Sequence, residues 1–291
     1  MQDLLSVNCE KKRNKEGNSR RMSKKSPGRI ITLLTDFGLR DAYVGVMKGV
    51  IAGIAPNVRI IDLTHGIPPQ DIRAAGFCLL TAYPFFPQET IHVAVVDPGV
   101  GTERRAVAIA LAEAVLVGPD NGIFTGLLQQ KVVKSAVALD RSEFWLSVRP
   151  EFTFHGRDIF APAAAHLASG AALSRLGTPI DPDTLVRLEL PAWAETEDGF
   201  SGNIQYADAF GNLVTNIPGS LVAGKMWKIK TADLEIPGKK TYEDVPSGVL
   251  LALAGSHGFL EIAANSGNAR VLLSMNVGDP VEVLLVTSTR K

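Results

Sequence analysis

An α/β domain with a largely parallel sheet, followed by a smaller all-β, barrel-like domain, is the fold this sequence predicts. Three observations predict it. Short apolar runs alternate with helix-period segments through the first two thirds of the chain; strands apolar on both faces belong in a sheet covered by helices on both sides. Three of those runs end on an aspartate. Past about Pro182 the helical segments give way to short strands separated by Gly, Asp and Pro turns. The expected divisions are a basic leader over 1–28, the α/β domain over 29–184 and the β domain over 185–291.

In chain order, RIITLLTDFG (29–38) reads as a buried strand that stops on Asp36. DAYVGVMKGVIAGIAP (41–56) has apolar residues at helical spacing, Asp41 at the expected cap and Pro56 beyond the stop. VRIIDLTHG (58–66) is a second strand, and PQDIRAAGFCLLTAYPFF (69–86) a second helix, broken before Pro84. IHVAVVDPG (91–99) is a third strand. AVAIALAEAVLVGPDNG (106–122) reads as a hairpin-like pair ending in a Pro-Asp-Asn-Gly turn, and FHGRDIFAPAAAHLASG (154–170) opens a helix that stops near Gly170. In the second domain VRLELP, FSGNIQYADAFGNLVTNIP, KMWKIKTADLEIPG, VLLALAG, LEIAANSG and RVLLSMNVGDPVEVLLV read as strands.

The composition is that of a soluble globular protein, 46% hydrophobic and 21% charged across 291 residues. No run reaches the roughly 20 apolar residues of a membrane span. The zero formal charge hides an asymmetry, because residues 1–29 hold nine of the 30 basic residues and three of the 30 acidic ones, leaving the remainder at −6. An acidic body gives no support for nucleic-acid binding. The leader lacks the apolar stretch of a secretory signal and reads as a disordered extension or an upstream start before Met22, in preference to a functional arm. Cys9 and Cys78 provide neither a disulfide framework nor a metal site, which suits a cytoplasmic protein, and Cys78 reads as a small buried hydrophobe.

Ligands of open α/β sheets bind beyond the carboxyl ends of the strands, where Asp36, Asp62 and Asp97 stand. Each acid alone reads first as a cap or turn former; three in one sheet raise the case for chemistry. GVGTERR lacks the last glycine of a dinucleotide fingerprint, and no phosphate-binding loop, HExxH, EF-hand or GxSxG pattern occurs, so a metal site or a serine hydrolase is not expected. His155, in TFHGRD at a helix entry, is the histidine with company suited to proton transfer. DAFGNLVTN (208–216) is either a turn held by its own Asx hydrogen bonds or a recognition loop, with Asp208 or Asn212 bonding polar ligand edges and Phe210 offering a stacking face. GSHGFLEIAANSG (255–267) is a second loop of that kind.

These segments, TDFG (35–38), DLTHGIPPQDI (62–72), VDPGVGTERRA (96–106), PDNG (119–122), FHGRDIFAP (154–162), DAFGNLVTN and GSHGFLEIAANSG, stand in the order in which they occur in the S-adenosyl-L-methionine (SAM) hydroxide adenosyltransferases. The chain resembles that family from about Arg29 to its end. The resemblance implies SAM cleaved by water to adenosine and L-methionine, with SAM as substrate, no cofactor and no metal. It further implies a homotrimer with each site between one subunit's first domain and a neighbour's second. It places the catalytic set on Asp97, Arg104 and His155 and the ribose-holding acid on Asp36. Further substrate contacts fall on Asp208, Phe210, Asn212 and Ser256, and on Phe259, Glu261 and Ala264. Arg105 stays structural. The related SAM-dependent halogenases carry an aromatic residue where Asp97 stands and a small one where His155 stands. The fluorinase also has a longer interval between the segments matching VDPGVGTERR and PDNG, and its aromatic contact to SAM falls on Gln70.

Overall fold

The computed structural model describes residues 29–231 and 234–286; the leader over 1–28, with Cys9, lies outside the described residues. The first sheet is built from β1 (Ile30–Thr35), β2 (Arg59–Thr64), β3 (Thr90–Val95), β4 (Ala106–Leu111), β5 (Ala114–Pro119), β6 (Val133–Ala138) and β7 (Thr178–Ile180). Its order is β2-β1-β3-β5-β4-β6-β7. The pairs β1–β2, β1–β3 and β3–β5 are parallel, whereas β4–β5, β4–β6 and β6–β7 are antiparallel. The sheet is therefore mixed, more so than the helix-strand alternation suggests. The departure has a local cause: β4 and β5 are joined by the short Ala112–Glu113 link, and so short a connection can only return the chain antiparallel.

Helices α1 (Tyr43–Ile54) and α4 (Ala161–Ala168) cover one face, around Met47, Ile51, Phe160 and Ala164. The other face carries α2 (Ile72–Ala82) and α3 (Thr125–Gln130), around Leu79, Ile123 and Leu127. Every residue of β3 is buried, as a strand covered on both sides requires. Asp71 caps α2 by accepting from the Ala74 N–H at 2.8 Å. Asp41 does not cap α1: the helix starts beyond Ala42, which contributes no side-chain cap.

The second domain is a sheet in the order β12-β11-β15-β9-β10-β14-β13, with β8 (Ala194–Thr196) added to β9. Its strands are β9 (Gly199–Ala207), β10 (Leu213–Pro218), β11 (Trp227–Lys230), β12 (Glu235–Pro237), β13 (Leu250–Ala254), β14 (Phe259–Ala264) and β15 (Pro280–Leu285). A bridge from Gly238 to Ala252 draws the two ends of this path together, so the sheet is a nearly closed barrel around Ile204, Leu213, Ile262 and Val283. The segment expected as one strand, RVLLSMNVGDPVEVLLV, divides. Its first part lies in the short helix α5 (Ala269–Leu273), capped by the Asn268 side chain, and only Pro280–Leu285 is strand. The domains meet where Tyr206 of β9 stacks on Phe77 of α2, ring centroids 4.6 Å apart, and accepts a hydrogen bond from the Cys78 thiol. Burial pushes the pKa of that half-buried thiol up, which keeps it protonated and inert.

Candidate active site

Beyond the carboxyl ends of β1 and β3 lies a cleft of about 410 Å³, bordered by Asp36, Gln70, Asp97, Thr153, Phe154 and His155 among others. The chain reaches it by sharp turns. After β3 the backbone closes two successive turns, Val100 N–H to Asp97 O at 3.1 Å and Thr102 N–H to Gly99 O at 3.1 Å. Gly101 sits at φ +77° against the 150–155 segment, where a Cβ would overlap the Phe152 carbonyl oxygen. No L side chain fits there without displacement, and that close approach is what brings Arg104 beside His155. The PDNG turn holds the frame from behind. Asn121 donates to the Val96 carbonyl at 2.8 Å, immediately before Asp97, and Asp120 accepts from Arg105 Nε at 2.8 Å.

Three predicted residues are joined directly. Arg104 Nε donates to both oxygens of Asp97, at 2.9 and 3.1 Å, and Nη2 closes the fork on Oδ2. Nη2 also lies 2.7 Å from His155 Nδ1. A guanidinium only donates, so Nδ1 takes this bond as acceptor and the neutral ring carries its proton on Nε2. Burial and the adjacent Arg104 charge both push the His155 pKa below its ordinary value, outweighing the opposing pull of Asp97 and Asp158. The side chains of Asp97 and Arg104 are only 5% and 11% exposed, so the charge of each is compensated chiefly by the other. His155 precedes a π turn over Gly156–Phe160 that runs into α4, and Arg104 lies over the Phe160 ring at 5.4 Å. Such turns recur at functional sites.

The strand-end acids separate. Asp36 borders the cleft and accepts from the Gln70 N–H at 2.8 Å. Asp62 instead pairs with Lys48 Nζ at 2.6 Å and lies 3.1 Å from His65 Nε2; its carboxyl pKa is lowered by these two partners against the opposing effect of burial. It is a framework ion pair outside the cleft lining. Three aromatic rings, Phe37, Tyr43 and Phe154, form an edge-packed cluster on the cleft wall with centroids 5.2 to 5.8 Å apart. Sequence reasoning passed over them, although each stands within two residues of a residue it had singled out: Asp36, Asp41 and His155.

Among the described residues, none of the second-domain candidates borders this cleft. Asp208 accepts from the backbone N–H groups of Phe210 and Asn212 and from Asn212 Nδ2, all at 2.9 Å, so the Asx-bonded turn is present and Phe210 is pushed out, 77% exposed. Glu261 is buried and accepts from the Tyr242 hydroxyl at 2.7 Å and from His257 Nε2 at 2.8 Å. Ser256 is exposed, Phe259 lies 6.1 Å from the Phe77 ring, and the Ala264 side chain packs in the barrel core. The structure thus brings together Asp36, Asp97, Arg104 and His155, and leaves Asp208, Phe210, Asn212, Ser256, Phe259, Glu261 and Ala264 on the other domain. No group of three or more His, Cys, Asp or Glu suited to a metal ion occurs among the described residues, and no described helix is long and apolar enough to cross a membrane.

Comparison with known proteins places the chain in a family. The chain matches the SAM hydroxide adenosyltransferase N-terminal domain over residues 31–177 and the C-terminal domain over 202–282. It is 41% identical to the (R)-S-adenosyl-L-methionine hydrolase of Salinispora arenicola, over 87% of this chain and 97% of that protein. The fluorinase of Nocardia brasiliensis is more distant, at 27% identity over 87% of this chain and 96% of that one. Among solved structures, an uncharacterized conserved protein from Thermotoga maritima superposes with a TM-score of 0.80 at 38% identity, covering 87% of this chain and 99% of the other. With both domains matched in order, the chain belongs to the SAM hydroxide adenosyltransferase family.

Proposed function

We propose that this protein hydrolyses SAM to adenosine and L-methionine by in-line attack of water on the 5′ carbon. The observation that carries this reading is the contact set Asp97–Arg104–His155 at the strand-end cleft. The new bond joins the water oxygen to C5′ as the C5′–S bond breaks, the sulfur keeps the electron pair, and water loses one proton. Because a sulfonium leaves as a neutral thioether, the site needs no leaving-group acid, redox group or cofactor. Its tasks are to position a water and take a proton.

The chain's own groups divide that work. Asp97 Oδ1 accepts from Arg104 Nε alone and retains a lone pair, so Asp97 orients the attacking water and takes its proton. Arg104 fixes the carboxylate, and His155 fixes Arg104. The Nδ1 lone pair of His155 is occupied by the guanidinium, so proton removal by His155 itself requires that contact to open. Asp36 serves the ribose hydroxyls.

Methionine and adenine recognition falls to Asp208, Phe210, Asn212, Ser256, Phe259, Glu261 and Ala264 of a neighbouring subunit in a homotrimer acting in the cytoplasm. Two features support that arrangement: no second-domain residue lines the cleft among the described residues, and Leu39 and Phe152 are 79% and 76% exposed on segments that flank it. Incubating the full chain with SAM and separating the products tests the reading. Adenosine and methionine are expected with or without a chelator; unchanged SAM overturns it, and a 5′-halo-5′-deoxyadenosine formed on addition of fluoride or chloride replaces it with halogenation. Sedimentation at working concentration tests the trimer, which a monomeric active enzyme excludes.

A further inference from the structure

The segment PPQD (68–71) closes a β-turn in which the Asp71 N–H bonds the Pro68 carbonyl at 3.0 Å, with Pro69 and Gln70 at its centre. Gln70 has φ +66°, the backbone conformation that the third position of a type II turn demands and that glycine or asparagine ordinarily supplies. Gln70 therefore occupies a left-handed conformation that costs an ordinary side chain energy. What this conformation achieves is visible beside it: the Gln70 N–H points out of the turn and donates to Asp36 Oδ2 at 2.8 Å, at the wall of the cleft. Among the described residues Asp36 makes no other side-chain hydrogen bond, so this single N–H sets the orientation of the carboxylate. On the other side the turn is anchored by Asp71, whose side chain caps α2, so the donor is fixed to a helix end and does not drift with a loop.

We propose that Gln70 is a positioning residue for ribose recognition: its left-handed backbone holds Asp36 so that the carboxylate meets the two ribose hydroxyls. The inference rests on the reading of Asp36 as the ribose-holding acid. It assigns the work to the backbone, which makes it separable from any contact of the Gln70 side chain. Substitutions sort by their tolerance of positive φ. Gln70→Gly and Gln70→Asn keep the turn, whereas Gln70→Val strongly disfavours it and swings the N–H away.

The measurement is the ratio of kcat/KM for SAM to that for the SAM analogue lacking the ribose 2′ hydroxyl, with an unfolding midpoint for each variant. The Gly and Asn variants are expected to keep the parent ratio. The Val variant is expected to lower it about tenfold, mainly through KM for SAM, the size of one hydrogen bond to a charged group. If Val does not fold, Gln70→Ala takes its place, with a ratio between those of Gly and the Asp36→Ala variant. A parent ratio in Val, or in Ala where it stands in, overturns the inference, as does a Gly variant that loses the ratio, since the side chain would then be responsible. Asp36→Ala separates the two layers. If it leaves the ratio intact, the ribose reading of Asp36 fails; if it abolishes the ratio while Val retains it, only the role of Gln70 fails.

Discussion

Asp97 follows β3 and Asp208 follows β9, and each opens a glycine-containing turn of similar appearance in the sequence. Around Asp97 the fork of Arg104 occupies the carboxylate from one side and leaves it facing a cleft. Around Asp208 the loop itself consumes both oxygens through Phe210 and Asn212. The difference lies in the partner: at Asp97 one guanidinium supplies all three contacts from one side of a cleft, whereas at Asp208 three local N–H contacts tie the group into its own turn as a brace. An acid in a motif is thus a reagent or a strut according to what its own neighbours take from it.

The sharpest way to break this contrast is Asp97→Asn. Hydrolysis should fall by about 10²–10⁴-fold while SAM still binds; a variant with near-normal kcat refutes the role of Asp97 as proton acceptor. Both the amide and alanine remove the counter-charge of Arg104, but the amide keeps the side-chain volume and an oxygen that accepts from the guanidinium, so an unfolding midpoint measured beside kcat separates chemistry from folding.

Next in size is an effect at the opposite end of β3. His92 is 1% exposed, shares a hydrogen bond with Thr32 at 2.8 Å, and burial pushes its pKa down to about 4 from 6.5. The unfolded chain takes up this proton below pH 6.5 and the folded chain does not until about 4. Stability is therefore complete above pH 6.5 and lost as pH falls towards 4, by on the order of 3 kcal/mol. Denaturant unfolding at a series of pH values should show that slope, and His92→Gln should flatten it.

Asp208→Ala should remove the brace at a cost on the order of 1–2 kcal/mol and raise KM with little change in kcat. A fall in kcat with KM unchanged would place Asp208 among the reacting groups and erase the contrast with Asp97. The smallest effect is an acid limb. His155 has a lowered pKa, so activity should hold below pH 6.5 and decline only when the ring protonates and repels Arg104. His155→Gln should lose that limb, as pH–rate profiles of the two proteins will register.

Much of this was legible in the sequence because the signals were local. Apolar runs ending on acids mark the strands and the cleft side, and TFHGRD marks His155, whereas Arg104 in GTERRA follows from the family resemblance. The rest depended on tertiary partners. Nothing near Asp62 announces Lys48, whose ammonium diverts that acid from the cleft. The helix over Ala269–Leu273 hides in a run as apolar as a strand, and its capping Asn268 is the one local sign of it. Of the seven second-domain candidates, Asp208, Phe210 and Asn212 also stand out in their own loop, whereas Ser256, Phe259, Glu261 and Ala264 follow from the family resemblance, and none of the seven borders the cleft among the described residues.

The π turn at Gly156–Phe160 has a consequence for how this site tolerates change in chain length. A π turn is an α-helix holding one surplus residue. Deleting one residue between 156 and 160 would let the segment relax into regular helix while its flanks stay close to their present phase, because the turn already absorbs the surplus. A deletion within the regular helix α4 instead turns one flank against the other by about 100°. Single-residue deletions in the π turn should therefore keep the His155–Arg104 contact better than deletions in α4, so this turn holds the slack in chain length at the site.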